Sequence, residues 1–97
     1  MRLLARNYRT RRGEIDLIMQ DGTVIVFIEV RSRAHTRFMD PAASVDARKR
    51  ARLVLAGQSY LQKAGLLDSA RCRFDVVSVT GNADDRKIEW IRSAFEA

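Results

Sequence analysis

Ninety-seven residues, of which 46% are apolar and one is proline, suffice for a single domain spanning 1–97 and exclude a second. Eighteen basic residues against twelve acidic ones give a net charge of +6, and fifteen of the eighteen are arginine, whose planar fork suits phosphate; the expected partner is a polyanion. One cysteine, one histidine and no apolar run near the ~20 residues of a membrane span exclude a disulfide framework, a structural zinc site and membrane insertion, so a cytoplasmic protein is expected.

Residues 1–8 are a candidate edge strand. Residues 14–20 (EIDLIMQ) alternate Glu14 and Asp16 with Ile15 and Leu17, the period of a strand. Asp21-Gly22 follows as a hairpin signal, and 23–33 (TVIVFIEVRSR) forms a β-branched partner strand. A tight turn on Asp21-Gly22 pairs Gln20 with Thr23, which sets Asp16 opposite residue 27 and Glu29 diagonal to it on the same face. Val24 to Ile28 is apolar without interruption, so this strand should be central and covered on both faces.

Residues 34–43 read as a loop. A helix is expected over 45–64, with Ser44 or Asp46 as N-cap, Gly65 ending it, and Leu53, Ala56, Gly57, Tyr60, Leu61 and Ala64 as its apolar face. Strands follow at 73–80 and 87–92, with a polar turn at Gly81-Asn82 between them. The order implies an α+β or mixed α/β fold. Tyr8, Tyr60, Phe74 and Trp90 read as core, and Asp75 as the structural partner of a flanking arginine, Arg71 or Arg73.

Glu29 interrupts the buried run VIVFIEV, where a lone carboxylate is costly unless it is paired or holds a metal. Two carboxylates on adjacent strands repel each other unless a cation lies between them, and hard oxygen donors suit Mg2+ or Mn2+. An ion pair of Glu29 with an arginine satisfies the same sequence equally well. Arg31, two residues on and on the same face, could serve as that partner or orient a phosphate beside a metal.

Asp16 followed by Glu29-Val30-Arg31 resembles the Asp…Glu-x-Lys signature of the restriction-endonuclease-like nucleases, and IEVRSR resembles the matching strand of Holliday-junction resolvases. The stretches LLARNYRTRRGEIDLI, VFIEVRSR, SVDARKRARL, RFDVVSV and IEWIRSAFEA together resemble the YraN-like family of uncharacterised bacterial proteins over nearly the whole chain. This resemblance implies a restriction-endonuclease-like mixed sheet flanked by helices and metal-dependent hydrolysis of DNA phosphodiesters, branched DNA included. It also implies a homodimer, by analogy with the resolvases. Carried over by position, Asp16 and Glu29 are metal ligands, the Val30 carbonyl is a third, and Glu14 is an accessory acid or binds a basic neighbour. The signature has lysine where this chain has Arg31, and arginine keeps its proton. Lys49 is a candidate stand-in. The family's usual N-terminal helix, with its glutamate near the metal, is expected to be absent here.

Arg9, Arg11 and Arg12 precede the acidic strand, while Arg31, Arg33 and Arg37 follow Glu29; the hairpin should bring both groups to one end of the sheet, where a nucleic-acid backbone would be steered. Arg48, Lys49, Arg50 and Arg52 crowd the first turns of the helix, against its dipole, which points to an anion there. The leading expectation is a nucleic-acid-binding, metal-dependent endonuclease. Its rival is a catalytically degenerate nucleic-acid-binding or interaction module on the same fold.

Overall fold

The computed structural model describes residues 1–33, 46–81 and 84–96. Five strands form one sheet in the order of the chain: β1 (Arg2–Arg9), β2 (Glu14–Asp21), β3 (Val24–Arg33), β4 (Arg71–Thr80) and β5 (Lys87–Phe95). All neighbours are antiparallel except β3 and β4, which run parallel, as a crossover through the helix α1 (Ala47–Lys63) requires. The result is a mixed sheet with one helix among the described residues, an α+β fold.

α1 follows from its caps and its stripe. Asp46 is the N-cap and its side chain accepts from the Lys49 amide, while Gly65, at φ 73°, takes the left-handed conformation just past the Ala64 C-cap. Leu53, Ala56, Gly57 and Leu61 are buried, Tyr60 is half-buried, and Ala64 is exposed. Gly57 lets the helix approach the sheet closely, because a Cβ there would stand 3.0 Å from the Phe27 ring. Tyr8, Tyr60, Phe27, Phe74 and Phe95 make a continuous chain of ring contacts through this layer, with centroids 5.0–6.2 Å apart.

β3 is central, as expected, but α1 covers only the face bearing Phe27. Val26 and Ile28 point the other way, buried, with Arg73 and Asp75 as their neighbours on β4. Among the described residues that face carries a polar network in which Arg73 and Trp90 converge on Asp75. Both faces of β3 are thus buried from Ile25 to Glu29, as expected. Trp90 is not a core residue: it is 41% exposed, with its indole N–H donated to Asp75. Arg73, rather than Arg71, is the arginine that pairs with Asp75.

The β2–β3 turn also differs from expectation. Asp21 pairs with Val24 and Gln20 with Ile25, so the turn residues are Gly22, at φ 61°, and Thr23. Glycine takes the first turn position, where a positive φ is required. This shifts the register by two residues, and an even shift leaves every side chain on its expected face. No described helix is long and apolar enough to cross a membrane.

Candidate metal site and basic cleft

The β2–β3 ladder ends at Leu17 and Ile28, and one step further sets Asp16 directly opposite Glu29, where the sequence suggested a diagonal. The strands part there. Asp16 Oδ2 accepts from the Val30 amide at 2.8 Å, so a side chain takes over from the backbone ladder and ties the Glu29–Arg31 segment to β2. This point lies midway along the parallel pair, where Glu29 of β3 stands in register with Val76 of β4.

Glu29 is 4% exposed. Burial pushes its pKa up, the neighbouring Asp16 carboxylate pushes it further, and Lys49 opposes both. Lys49 reaches across from α1 to place Nζ 2.5 Å from Glu29 Oε1, while Arg31 Nη1 stands 3.8 Å from the same oxygen. Two cations thus meet one carboxylate of an acidic pair. Among the described residues no group of three or more His, Cys, Asp or Glu side chains comes together. A cation at this point would rest on two carboxylates and water, a donor set that fits Mg2+ or Mn2+, since Mg2+ is commonly held by one or two carboxylates and keeps several waters.

The arginines before β2 do not simply border the acids. Thr10 Oγ1 accepts from the amides of Arg12 and Gly13, and its own amide donates to the Gly13 carbonyl, forming a tight β1–β2 turn. The turn folds against α1, and the two enclose a cleft of about 550 Å3 whose basic lining is Arg9, Arg11, Arg12, Arg48, Lys49 and Arg52. Clusters that looked separate along the chain are one surface, with Lys49 linking the cleft to Glu29. Glu14 joins the cleft, pairing with Arg9 at 3.3 Å, both side chains largely exposed. Arg50 turns elsewhere, with its guanidinium 5.4 Å from the centroid of the Phe95 ring. Arg33 ends β3, and Arg37 lies outside the described residues.

Sequence reasoning passed over Thr10 and Gly13 as site-builders, although the string TRRG (Thr10–Gly13) carries the signal of a Ser/Thr-type turn. A Cβ at Gly13 would collide with the Arg52 carbonyl, coming within 2.9 Å of its carbon. Gly13→Ala is therefore expected to push the turn off the helix, costing about 1–3 kcal/mol in a urea melt. An unchanged melt would mean that the turn does not need this close approach.

The profile of the uncharacterised protein family UPF0102 matches residues 1–79. A UPF0102 protein of Pseudomonas fluorescens is 45% identical over 98 residues, covering 100% of this chain and 80% of its own. One from Chromohalobacter salexigens is 53% identical over 97 residues, with 100% and 77% covered, and one from Stutzerimonas stutzeri is 46% identical over 97 residues, with 100% and 81% covered.

Proposed function

The chain belongs to the uncharacterised protein family UPF0102, and from the acidic pair beside its basic cleft we propose that it is a nucleic-acid-binding, metal-dependent phosphodiesterase of the restriction-endonuclease-like kind, acting on DNA with branched forms included. The observation that carries this reading is Glu29, a buried carboxylate held against a second carboxylate, Asp16, at the edge of a basic cleft.

Asp16, Glu29 and the Val30 carbonyl would hold Mg2+ or Mn2+, which when bound activates a water and neutralises charge on the leaving oxygen. The chain's own residues supply the rest. The Val30 amide fixes Asp16 in place. Arg31 is a permanent cation beside Glu29, able to stabilise charge on a phosphate but not to take a proton from water. Lys49 supplies at Glu29 the ammonium that the Asp…Glu-x-Lys signature would place at position 31. The cleft arginines draw a strand toward the acids.

Arg31 also favours a second reading, a binding module with a degenerate site. Incubation of the protein with linear and branched DNA in Mn2+ or EDTA separates the two. Cleavage in Mn2+ that stops in EDTA and in Asp16→Asn supports the nuclease. Binding without cleavage, weakening steeply between 50 and 200 mM salt, supports the module. Cleavage that persists in Asp16→Asn and Glu29→Gln would sink the assignment of the acids.

A further inference from the structure

The cleft between the β1–β2 turn and α1 is small and unusually charged. Its six cations share about 550 Å3 with two acids, Glu14 and Asp46, an excess of four positive charges. Glu14 is paired with Arg9, and Asp46 is engaged in capping α1 through the Lys49 amide. The first free amides of the helix are therefore partly satisfied within the protein, and the attraction for an anion comes from the arginine side chains.

Volume and charge together narrow the ligand. A cavity of this size takes a small-molecule-sized group, one or two nucleotides of a single strand, and is too narrow for a duplex to enter. An internal phosphodiester brings one negative charge per nucleotide. A terminal phosphate monoester brings about −1.5 to −2 near neutral pH and three acceptor oxygens, and arginine forks bind such a group through paired, charge-assisted hydrogen bonds. With Lys49 matched by Glu29 beyond the cleft, three positive charges remain uncompensated over one or two nucleotides, and these match a strand end better than a strand interior.

We propose that this cleft is a subsite for the phosphorylated end of a nucleic-acid strand, seated between Arg11 and Arg12 of the turn and Arg48 and Arg52 of the helix. The proposal rests on the reading of the protein as nucleic-acid-binding and gives that reading a substrate class: strands with a free phosphorylated end, such as nicks, flaps and trimmed branches. Lys49 forms the wall between this subsite and Glu29, so an end held in the cleft leads directly to the acidic pair.

The test uses the full chain in EDTA, where cleavage does not interfere, and follows by fluorescence anisotropy a single DNA strand about ten nucleotides long. The strand carries an internal label and is prepared with a 5′-phosphate, with a 3′-phosphate and with neither. One phosphorylated form is expected to bind about tenfold tighter than the bare strand, and the two arms report which end is read. The preference should vanish in Arg11→Ala/Arg48→Ala and survive in Lys63→Ala/Arg71→Ala, which removes the same charge from exposed positions outside the cleft. Arg12→Ala, a single exposed change, provides the same comparison should the double variant melt. Equal affinity for all three strands would overturn the proposal, as would a preference that survives in the cleft variants or is lost equally in the control. Loss of end preference alongside Mn2+-dependent cleavage would leave the metal site standing; no binding to any strand would overturn the nucleic-acid reading as well.

Discussion

Glu29→Gln is expected to melt above the wild type at pH 7 to 8, to stop responding to divalent cations, and to lose at least about a hundredfold in cleavage rate. The stability gain follows from the direction of the Glu29 pKa, which burial and the Asp16 carboxylate raise in the folded state. A raised carboxyl pKa means that the folded protein holds its proton to higher pH than the unfolded chain does. Stability is then full below the ordinary value of 4.5 and is lost as pH climbs through the folded value. The neutral isostere removes that loss, so the two melting curves should coincide in acid and separate as pH rises. Lys49, with 39% of its side chain exposed, can turn to solvent when its partner loses charge. A net gain of about 1 kcal/mol corresponds to a rise of about 4–8 °C for a domain of this size. Mg2+ or Mn2+ at about a hundred times its dissociation constant would add about 2.7 kcal/mol to the wild type and nothing to the variant. A variant that melts lower at every pH, or responds to the ions as the wild type does, would show Glu29 to be a structural ion-pair residue.

That outcome bears on how the site came to be legible. Glu29 stood out because one acid broke a run of apolar β-branched residues, and Asp16 because the strand period put it on the same face. The register between them differs by two residues from the one a turn centred on Asp21-Gly22 implies, since Gly22 takes the first turn position rather than the second. The even shift kept both acids on one side and brought them closer. The joining of the turn arginines to the helix arginines was beyond any local pattern. It depends on how near the turn packs to α1, which is set by the contact of Gly13 with the Arg52 carbonyl, some forty residues along the chain. Likewise β5 runs on to Phe95, past the expected end at residue 92, because Ser93 adopts φ 49° at a bulge and its amide is held by Asp75 from the neighbouring strand. Nothing in the string SAF announces that; it is tertiary.

The same contact makes Asp75→Ala the substitution expected to damage the fold most. Asp75 is 1% exposed, and its two oxygens receive the Arg73 guanidinium at 3.1 and 3.3 Å, the Trp90 indole at 2.8 Å and the Ser93 amide at 2.9 Å. Removing the carboxylate leaves three donors unmet and the Arg73 charge, 18% exposed, dependent on Asp21 at 3.1 Å. Arg73 Nη2 already lacks a hydrogen-bond acceptor, so the network has no spare capacity to absorb the loss. Breaking a buried ion pair from one side costs about 3–5 kcal/mol, a large part of the roughly 5–15 kcal/mol that holds a small domain folded. The melting temperature should fall by more than about 10 °C. The loss should fall first on β5, which among the described residues pairs only with β4 and is anchored there by this carboxylate and by the stacking of Phe95 on Phe74. Trp90, the chain's one tryptophan, reports it directly, as its fluorescence should shift toward that of a fully solvated indole. Arg73→Ala/Asp75→Ala should recover part of the stability, because the stranded charge leaves with its partner. Below its melting point Asp75→Ala should keep the stabilisation by Mn2+, since Asp75 faces away from the acidic pair. A melt within about 1 °C of the wild type would refute the anchoring role, and loss of the Mn2+ response in a still-folded variant would bind the two faces of the sheet into one site.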